Sequence, residues 1–318
     1  MKKQTVSFFD VAGIAVDSLF AVQKIAFKDS RNGAQFLACE LVDATGSINA
    51  VMWQVPEPVR RDLKNGGVVR VKGKSNIYQE TLQIVIEDLL MLAPGEYQPA
   101  DFLPVSPRDR KEMEQEIRSY IKQIAAADLE KFVTGWVLEP GFLARFMIAP
   151  AAKTIHHATL GGLPEHSLEA LKFGLKMAEA YPEADKDLVI AGCLLHDMGK
   201  LRDYACTTVI EMTDEGKLLN HIGIGYGMFV EEIVKAGLKN AAWVTRLGHI
   251  ILCHHGTREM GSPVEPATIE AMIVHLSDLA SGRLNQMSQI LATSDPNNEG
   301  WSAYDRILRT SLYKSRKA

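Results

Sequence analysis

Apolar residues in the first 92 positions fall into short, partly alternating runs. "LFAVQKIAFK" (19–28) and "QFLACELVD" (35–43) carry β-branched and aromatic residues at the period of half-buried strands. "DATGSINAVMW" adds a turn over Asp43 to Gly46 and a third strand ending in Trp53. "VPEPVRRDLKNG" reads as a helical or loop insert, and "VVRVKGKSNIYQETLQIVIEDLLML" as two strands around a turn near Gln79. Five short strands with an insert after the third predict a small Greek-key barrel of the OB type over residues 1–92. Residues 93–107, "APGEYQPADFLPVSP", hold four prolines and predict a stiff, extended linker.

From 108 to 318 the period changes to that of helices. "SPRDRKEMEQEIRSYIKQIA" offers Ser106 as a cap with Pro107 at the first helical position. "SLEALKFGLKMAEAY", "KDLVIAGCLLHDMGK", "GIGYGMFVEEIVKAG", "AWVTRLGHIILCHH" and "PATIEAMIVHLSDLASGRLNQM" follow, each with apolar residues at helical spacing. The expected architecture is multidomain: an all-β barrel, then an all-α bundle.

Composition changes this picture little. The 318 residues suit two domains, and 47% hydrophobic with 23% charged residues is ordinary for a globular chain. The net charge of -4 does not advertise a nucleic-acid binder, although a local patch counts for more than the sum. Cys39, Cys193, Cys206 and Cys253 are scattered without a CxxC pair, as reduced thiols of a cytoplasmic protein would be. The basic start "MKKQTVSFFDVAG" lacks the apolar core of a signal peptide, and no run of about 18 apolar residues predicts a membrane span.

The histidines change it most. All nine lie between positions 156 and 275. His166 opens a helix, His196-Asp197 ends one, His221 starts one, His254-His255 closes one, and Asp278 lies on the last. Side chains at helix ends can converge. Neighbouring residues on a helix point about 100° apart, so a His-Asp pair can straddle a cation and offer its second carboxylate oxygen to another. Two divalent ions about 3.5–4 Å apart are a standard arrangement for phosphoester hydrolysis. A lone buried histidine is more often held by a hydrogen bond. His249 and His275 read that way, and Cys253 reads as packing.

The stretches "EHSLEA", "LLHDMGKL", "HIGIG", "CHHG" and "HLSDLA" resemble the HD-domain metal-dependent phosphohydrolases, an all-α family. The resemblance implies His166, His196, Asp197 and Asp278 as one ligand set. His221, His254 and His255 stand where two-metal members add ligands. It also implies Asp197 at the catalytic centre and Lys200 as a contact to the phosphate, which a cation there would suit. With the preceding barrel, "HHATLGGLPEHSLEAL" and "GHIILCHHGTREMGSPVEPATIEAMIVHLSD" are similar to the YhaM-type exoribonucleases. The likeness runs over nearly the whole chain. One departure is Ser281, which stands where that family carries a second acidic residue soon after the last ligand.

The resemblance implies 3′→5′ hydrolysis of single-stranded RNA, with single-stranded DNA as the other candidate strand. The cofactor would be a divalent transition metal, two ions, with Mn²⁺ favoured by the family and imidazole ligands by such metals generally. OB barrels stack bases on aromatics while cations follow the backbone. Phe27, Phe36, Trp53 and Tyr78 are the aromatic candidates, with Lys28, Arg70, Lys72 and Lys74 for the backbone; Trp53, Lys72 and Lys74 are the expected contacts. Eleven basic against ten acidic residues over 1–92 argue against very tight electrostatic binding. His157 is near enough in sequence to His166 to meet substrate or move a proton. The C-terminal cations Arg306, Arg309, Lys314, Arg316 and Lys317 could hold phosphates. An HD hydrolase of small nucleotides and an inert RNA-binding module are the rival classes. The barrel argues against the first and the intact ligand set against the second. No membrane partner is expected, and self-association stays open.

Overall fold

The computed structural model describes residues 4–30, 33, 35–93, 95–154, 157–293 and 300–314. The chain divides into two units, one reaching to Val105 and including Ala205–Glu211, the other comprising the rest.

The first unit is a closed five-stranded barrel of the OB type. Strands β1 (Ala15–Asp29), β2 (Gln35–Asp43), β3 (Gly46–Met52), β4 (Val68–Tyr78) and β5 (Thr81–Met91) run in the order β1-β2-β3-β5-β4. Among the described residues only β3 and β5 pair in parallel, and β1 pairs with both β2 and β4. The register of β1 on β2 shifts between Gln23 and Ala26, where Lys24 has φ 51°. Such a bulge bends a strand and lets it serve two neighbours. In β2 the sequence alternation is realised in full: Leu37, Cys39 and Leu41 point inward. The insert after β3 forms a short helix, α1 (Glu57–Asp62), which buries Val59 in the barrel core.

The Pro-rich segment does not run as an extended linker. It makes a 3₁₀ turn over Pro99–Asp101, and Phe102 is buried with Leu19, Ala21 and Val68. Tyr97 meets the Phe102 ring edge-on at 5.6 Å. Burying one large apolar side chain is worth roughly 1.5–3 kcal/mol, enough to override the extended preference of nearby prolines. Pro94 lies outside the described residues.

The second unit is helical. Helix α2 (Arg110–Ile121) starts later than expected. Asp109, not Ser106, caps it, accepting from the backbone N–H groups of Lys111 and Glu112. An aspartate also suits the positive end of the helix dipole better than a serine. Helices α3 (Ala127–Val137) and α4 (Pro140–Phe146) follow, then α5 (Gly162–Ala180), α6 (Lys186–Leu195) and the single turn α7 (Lys200–Asp203). A hairpin of β6 (Tyr204–Cys206) and β7 (Ile210–Met212) precedes α8 (Asp214–Ala236), α9 (Ala242–Cys253) and α10 (Ile269–Thr293). The hairpin tip belongs to the first unit, and the Thr208 hydroxyl donates to the Gly66 carbonyl. Among the described residues, no helix is long and apolar enough to cross a membrane.

Helix α6 runs through the core: Leu188 to Leu195 are all buried, as expected of a helix apolar all round. Its C-terminal end therefore delivers His196 and Asp197 to the interior. Gly199, in "HDMGK", lets α7 meet α8. A Cβ there would lie 1.9 Å from the His221 carbonyl oxygen and 2.6 Å from the Gly225 nitrogen. Gly223, on α8, has nothing within 4 Å of its Cβ position. Gly199→Ala should cost about 1–3 kcal/mol or more by overpacking backbone, while Gly223→Ala should gain about 0.5–1 kcal/mol of helix stability. Urea unfolding of the two variants checks this; equal midpoints would contradict it.

Candidate metal centre and nucleic-acid face

Five histidines and two aspartates meet inside the helical unit. His166 lies in the second turn of α5, and His196-Asp197 follow α6. His221 follows Asn220, whose φ 58° and ψ 152° break α8 in two. His254 and His255 follow α9, and Asp278 is on α10. Gly256 closes α9 with φ +87°, and any Cβ on it would strike the His275 ring at 2.3 Å. The helix end thus leaves the His254 carbonyl to accept from His275 Nδ1 at 2.8 Å.

The ring nitrogens are sorted by their partners. His196 Nδ1 donates to the Cys193 carbonyl at 3.0 Å, His254 Nδ1 to Ile251 at 2.8 Å, and His255 Nδ1 to Met260 at 2.8 Å. A carbonyl can only accept, so these Nδ1 atoms carry the proton. Each Nε2 then faces the centre, the usual device for orienting imidazole ligands. His166 Nε2 lies 3.4 Å from Asp197 Oδ2 and 3.1 Å from Asp278 Oδ1. His196 Nε2 lies 3.3 Å from Asp197 Oδ2. On the other side, His221 Nε2 and His254 Nε2 are each 3.5 Å from Asp197 Oδ1. His221 Nε2 is 3.2 Å from His255 Nε2. Two donor groups result: His166, His196, Asp197 and Asp278, and His221, His254 and His255. Asp197 stands between them with one oxygen toward each.

This arrangement makes poor sense as core packing. Asp197 is 2% exposed, yet among the described residues its Oδ1 has no hydrogen-bond partner, and neither has His254 Nε2. Leaving a buried acceptor unsatisfied costs about 1–3 kcal/mol. Converging lone pairs of imidazole and carboxylate suit a divalent cation, which would satisfy both atoms at once.

Charge is arranged to match. Burial disfavours the charged form of Asp197, but the Lys200 and His196 charges outweigh it and hold the carboxyl well below its usual range. Lys200 is buried and donates from Nζ to Asp197 Oδ2 at 2.6 Å. Burial works against its charge, yet Asp197 and Asp278 raise its pKa. Burial likewise opposes a charged His166, but Asp197 and Asp278 raise it to about 9. His221 and His254 are pushed down by burial and stay neutral.

The remaining residues fall into place less evenly. His157 is 2% exposed and lies behind His166, with Nε2 3.2 Å from Glu169 Oε2. His249 Nε2 accepts from the Ala267 N–H at 2.9 Å, away from the cluster. Asp203, one turn beyond Lys200, is buried with Oδ2 4.0 Å from His221 Nδ1. Its sequence signal is only the helical spacing of the acid in "HDMGKLRD" to Lys200. Glu169 and Arg283 carry no such signal in the sequence. A cavity of about 290 Å³ adjoins the cluster, lined by Lys200, His255, Asp278, Leu279, Arg283 and Ile307 among others. Arg283 has no hydrogen bond or ion pair among the described residues. His157 does not line this cavity.

In the barrel, Trp53 follows β3, is 54% exposed, and lies against Phe36 with ring centroids 4.9 Å apart. Tyr78 is exposed, while Phe27 packs against the core. Arg70 is engaged by both oxygens of Asp17. Lys72 and Lys74 are exposed on β4, which does not neighbour β3 in the barrel. Trp53, just after β3, and the two lysines on β4 therefore belong to parts of the barrel that are not adjacent. Arg316 and Lys317 of the tail, like Lys2 and Lys3, lie outside the described residues.

Comparison with known proteins agrees with both halves. The HD domain model matches residues 164–281, and an OB-fold nucleic acid binding domain model matches residues 21–92. The chain is 32% identical to the 3′-5′ exoribonuclease YhaM of Shouchella clausii, over 89% of this chain and 88% of that protein. It is 30% identical to the protein of that name from a Geobacillus species, over 96% of each, and 28% identical to that of Oceanobacillus iheyensis, over 91% and 90%.

Proposed function

This chain belongs to the YhaM family of metal-dependent 3′-5′ exoribonucleases, and from that membership we propose that it shortens single-stranded RNA from the 3′ end, one nucleotide at a time. The observation that carries the reading is Asp197, buried between two histidine groups with one carboxylate oxygen toward each. His166, His196, Asp197 and Asp278 would hold one divalent ion, and His221, His254 and His255 with Asp197 a second. Imidazole-rich donor sets favour a transition metal, and Mn²⁺ is our assignment. When bound, such ions polarise the phosphoryl oxygens and supply a nucleophile at neutral pH.

The protein's own residues would do the rest. Lys200, which donates to Asp197 and lines the adjoining cavity, would offset charge developing on the scissile phosphate. The cavity beside Asp278 has room for a single nucleotide, with Leu279 and Ile307 against the base or sugar and Arg283 for a phosphate. That would favour attack at a chain end. In the barrel, Trp53 with Phe36 would stack bases of the incoming strand, and Lys72 and Lys74 would follow its backbone. His157, buried against Glu169, would act on substrate only through other side chains. The four free cysteines fit a cytoplasmic setting.

The test is purified protein with Mn²⁺ and a 5′-labelled single-stranded RNA. Progressive 3′ shortening is expected. Hydrolysis of mononucleotides alone, or tight RNA binding without cleavage, would overturn the reading. In the same assay Arg283→Ala should raise KM about tenfold or more, since a hydrogen bond to a charged group is worth about 1.5–3 kcal/mol, with kcat much less affected. An unchanged KM would remove Arg283 from the substrate.

A further inference from the structure

His166 is gripped at both ring nitrogens by one helix. Asp278 and Ser281 sit one turn apart on α10. Asp278 Oδ1 is 3.1 Å from His166 Nε2, and Ser281 Oγ is 2.9 Å from His166 Nδ1. The Ser281 hydroxyl in turn donates to Glu169 Oε2 at 2.8 Å. Glu169 lies one turn beyond His166 on α5, so each helix contributes one residue to the centre and one behind it. Ser281 and His166 have no exposed surface at all.

The direction of these bonds matters. A carboxylate can only accept, so the single hydroxyl hydrogen of Ser281 is committed to Glu169. Ser281 Oγ can then only accept from His166. The proton on Nδ1 is thereby fixed, and Nε2 is the nitrogen that faces Asp197 and Asp278. His157 packs behind Glu169: its Nε2 lies 3.2 Å from Glu169 Oε2 and 3.2 Å from Asn285 Nδ2, and its backbone N–H donates to Asn285 Oδ1 at 3.2 Å. Asn285 Oδ1 also accepts from Gln289 Nε2 at 2.8 Å, which ties the end of the array back to α10.

We infer that Ser281 and Glu169, braced by His157, are positioning residues that fix the tautomer and ring orientation of His166 for the ion held by His166, His196, Asp197 and Asp278. Ser281 then does not leave the position without an acid. It borrows the carboxylate of Glu169 through its hydroxyl, and a histidine backed by a carboxylate is a stronger donor. The inference rests on reading His166 as a metal ligand, as proposed above.

Partners of this kind typically change metal affinity by about 10–100-fold. Ser281→Ala should weaken Mn²⁺ binding by that factor at one of the two subsites and leave the His221–His254–His255 subsite unchanged, read by calorimetric titration of the metal-free protein. Glu169→Gln keeps an acceptor for the hydroxyl but removes the charge, so its loss should be smaller; Glu169→Ala should approach Ser281→Ala. With Co²⁺ in place of Mn²⁺, the visible spectrum should shift in Ser281→Ala. Wild-type affinity at both subsites, or an equal loss at both, would overturn the inference. If the wild-type protein degrades RNA while Ser281→Ala binds Mn²⁺ normally, only this inference fails. If the wild-type protein binds no metal, the functional reading fails with it.

Discussion

Asp197→Asn should lower the rate of RNA shortening by about 10³-fold or more, the equivalent of roughly 4 kcal/mol at 1.36 kcal/mol per tenfold. The size follows from position. Among the described residues, Asp197 is the one whose carboxylate faces both histidine groups, at 3.3–3.4 Å on one side and 3.5 Å on the other. An amide offers one neutral oxygen where two charged ones are needed, so both subsites weaken together. Asp278 faces only one group, at 3.1 Å from His166 Nε2 and 3.9 Å from His196 Nε2. Asp278→Asn should therefore lose one ion and Asp197→Asn two, as elemental analysis of the purified variants can count. Equal metal content in the two variants would sink the bridging role.

A fold defect could mimic this result. Asp197 and Lys200 form a buried pair, and removing one partner of such a pair can cost about 3–5 kcal/mol because the other charge is stranded. The double variant Asp197→Asn/Lys200→Met removes both charges. It should recover the thermal midpoint while staying inactive. If it recovered activity too, the loss in the single variant would be one of folding, not of chemistry.

Much of this site could be read from residue order, and the reason is local. His196, Asp197 and Gly199 in "HDMGK" follow the end of α6 and "HHG" follows the end of α9, so each group is a short run whose geometry one helix end sets. The barrel was equally legible, because alternation in β2 is a property of adjacent positions. What stayed hidden depends on partners far along the chain. Ser281 looks like an ordinary small helix residue until Glu169, 112 positions earlier, is placed beside it. The collapse of Phe102 onto Leu19 and Val68 could not be inferred from four prolines. Helices α3 and α4 do not stand out by period, although Glu139-Pro140 is a recognisable start, with the Glu139 carboxylate accepting from Gly141 and Phe142. The hairpin before α8 did carry a signal, the β-branched run "TTVI", but it is too short to stand out among helices.

Metal affinity at the His166 subsite should rise about tenfold per pH unit, and so about 100-fold between pH 6 and pH 8. In the metal-free chain His166 is held up to about 9: burial opposes the charge, but Asp197 and Asp278 overcome it. An ion taking Nε2 must displace that proton, and displacement of one proton below its pKa gives a slope of one in log affinity. His221 and His254 are pushed below 6.5 by burial and are already neutral, so their subsite should show a much flatter profile. The same proton works the other way on the empty fold. A group whose folded pKa is raised stabilises fully below its unfolded value and loses that contribution as pH climbs through the folded one. Here the window runs from 6.5 to about 9. Asp197 and Asp278, both held low in part by neighbouring imidazoles, stabilise above 3.8 and lose that contribution in acid. The metal-stripped protein should therefore be most stable in mildly acidic solution and soften toward pH 9, while Mn²⁺ binding tightens over the same range. Calorimetric titration in buffers of different ionisation enthalpy should record about one proton released at pH 7. A pH-independent affinity, or a metal-free melting temperature that rises toward pH 9, would show that His166 carries no such proton.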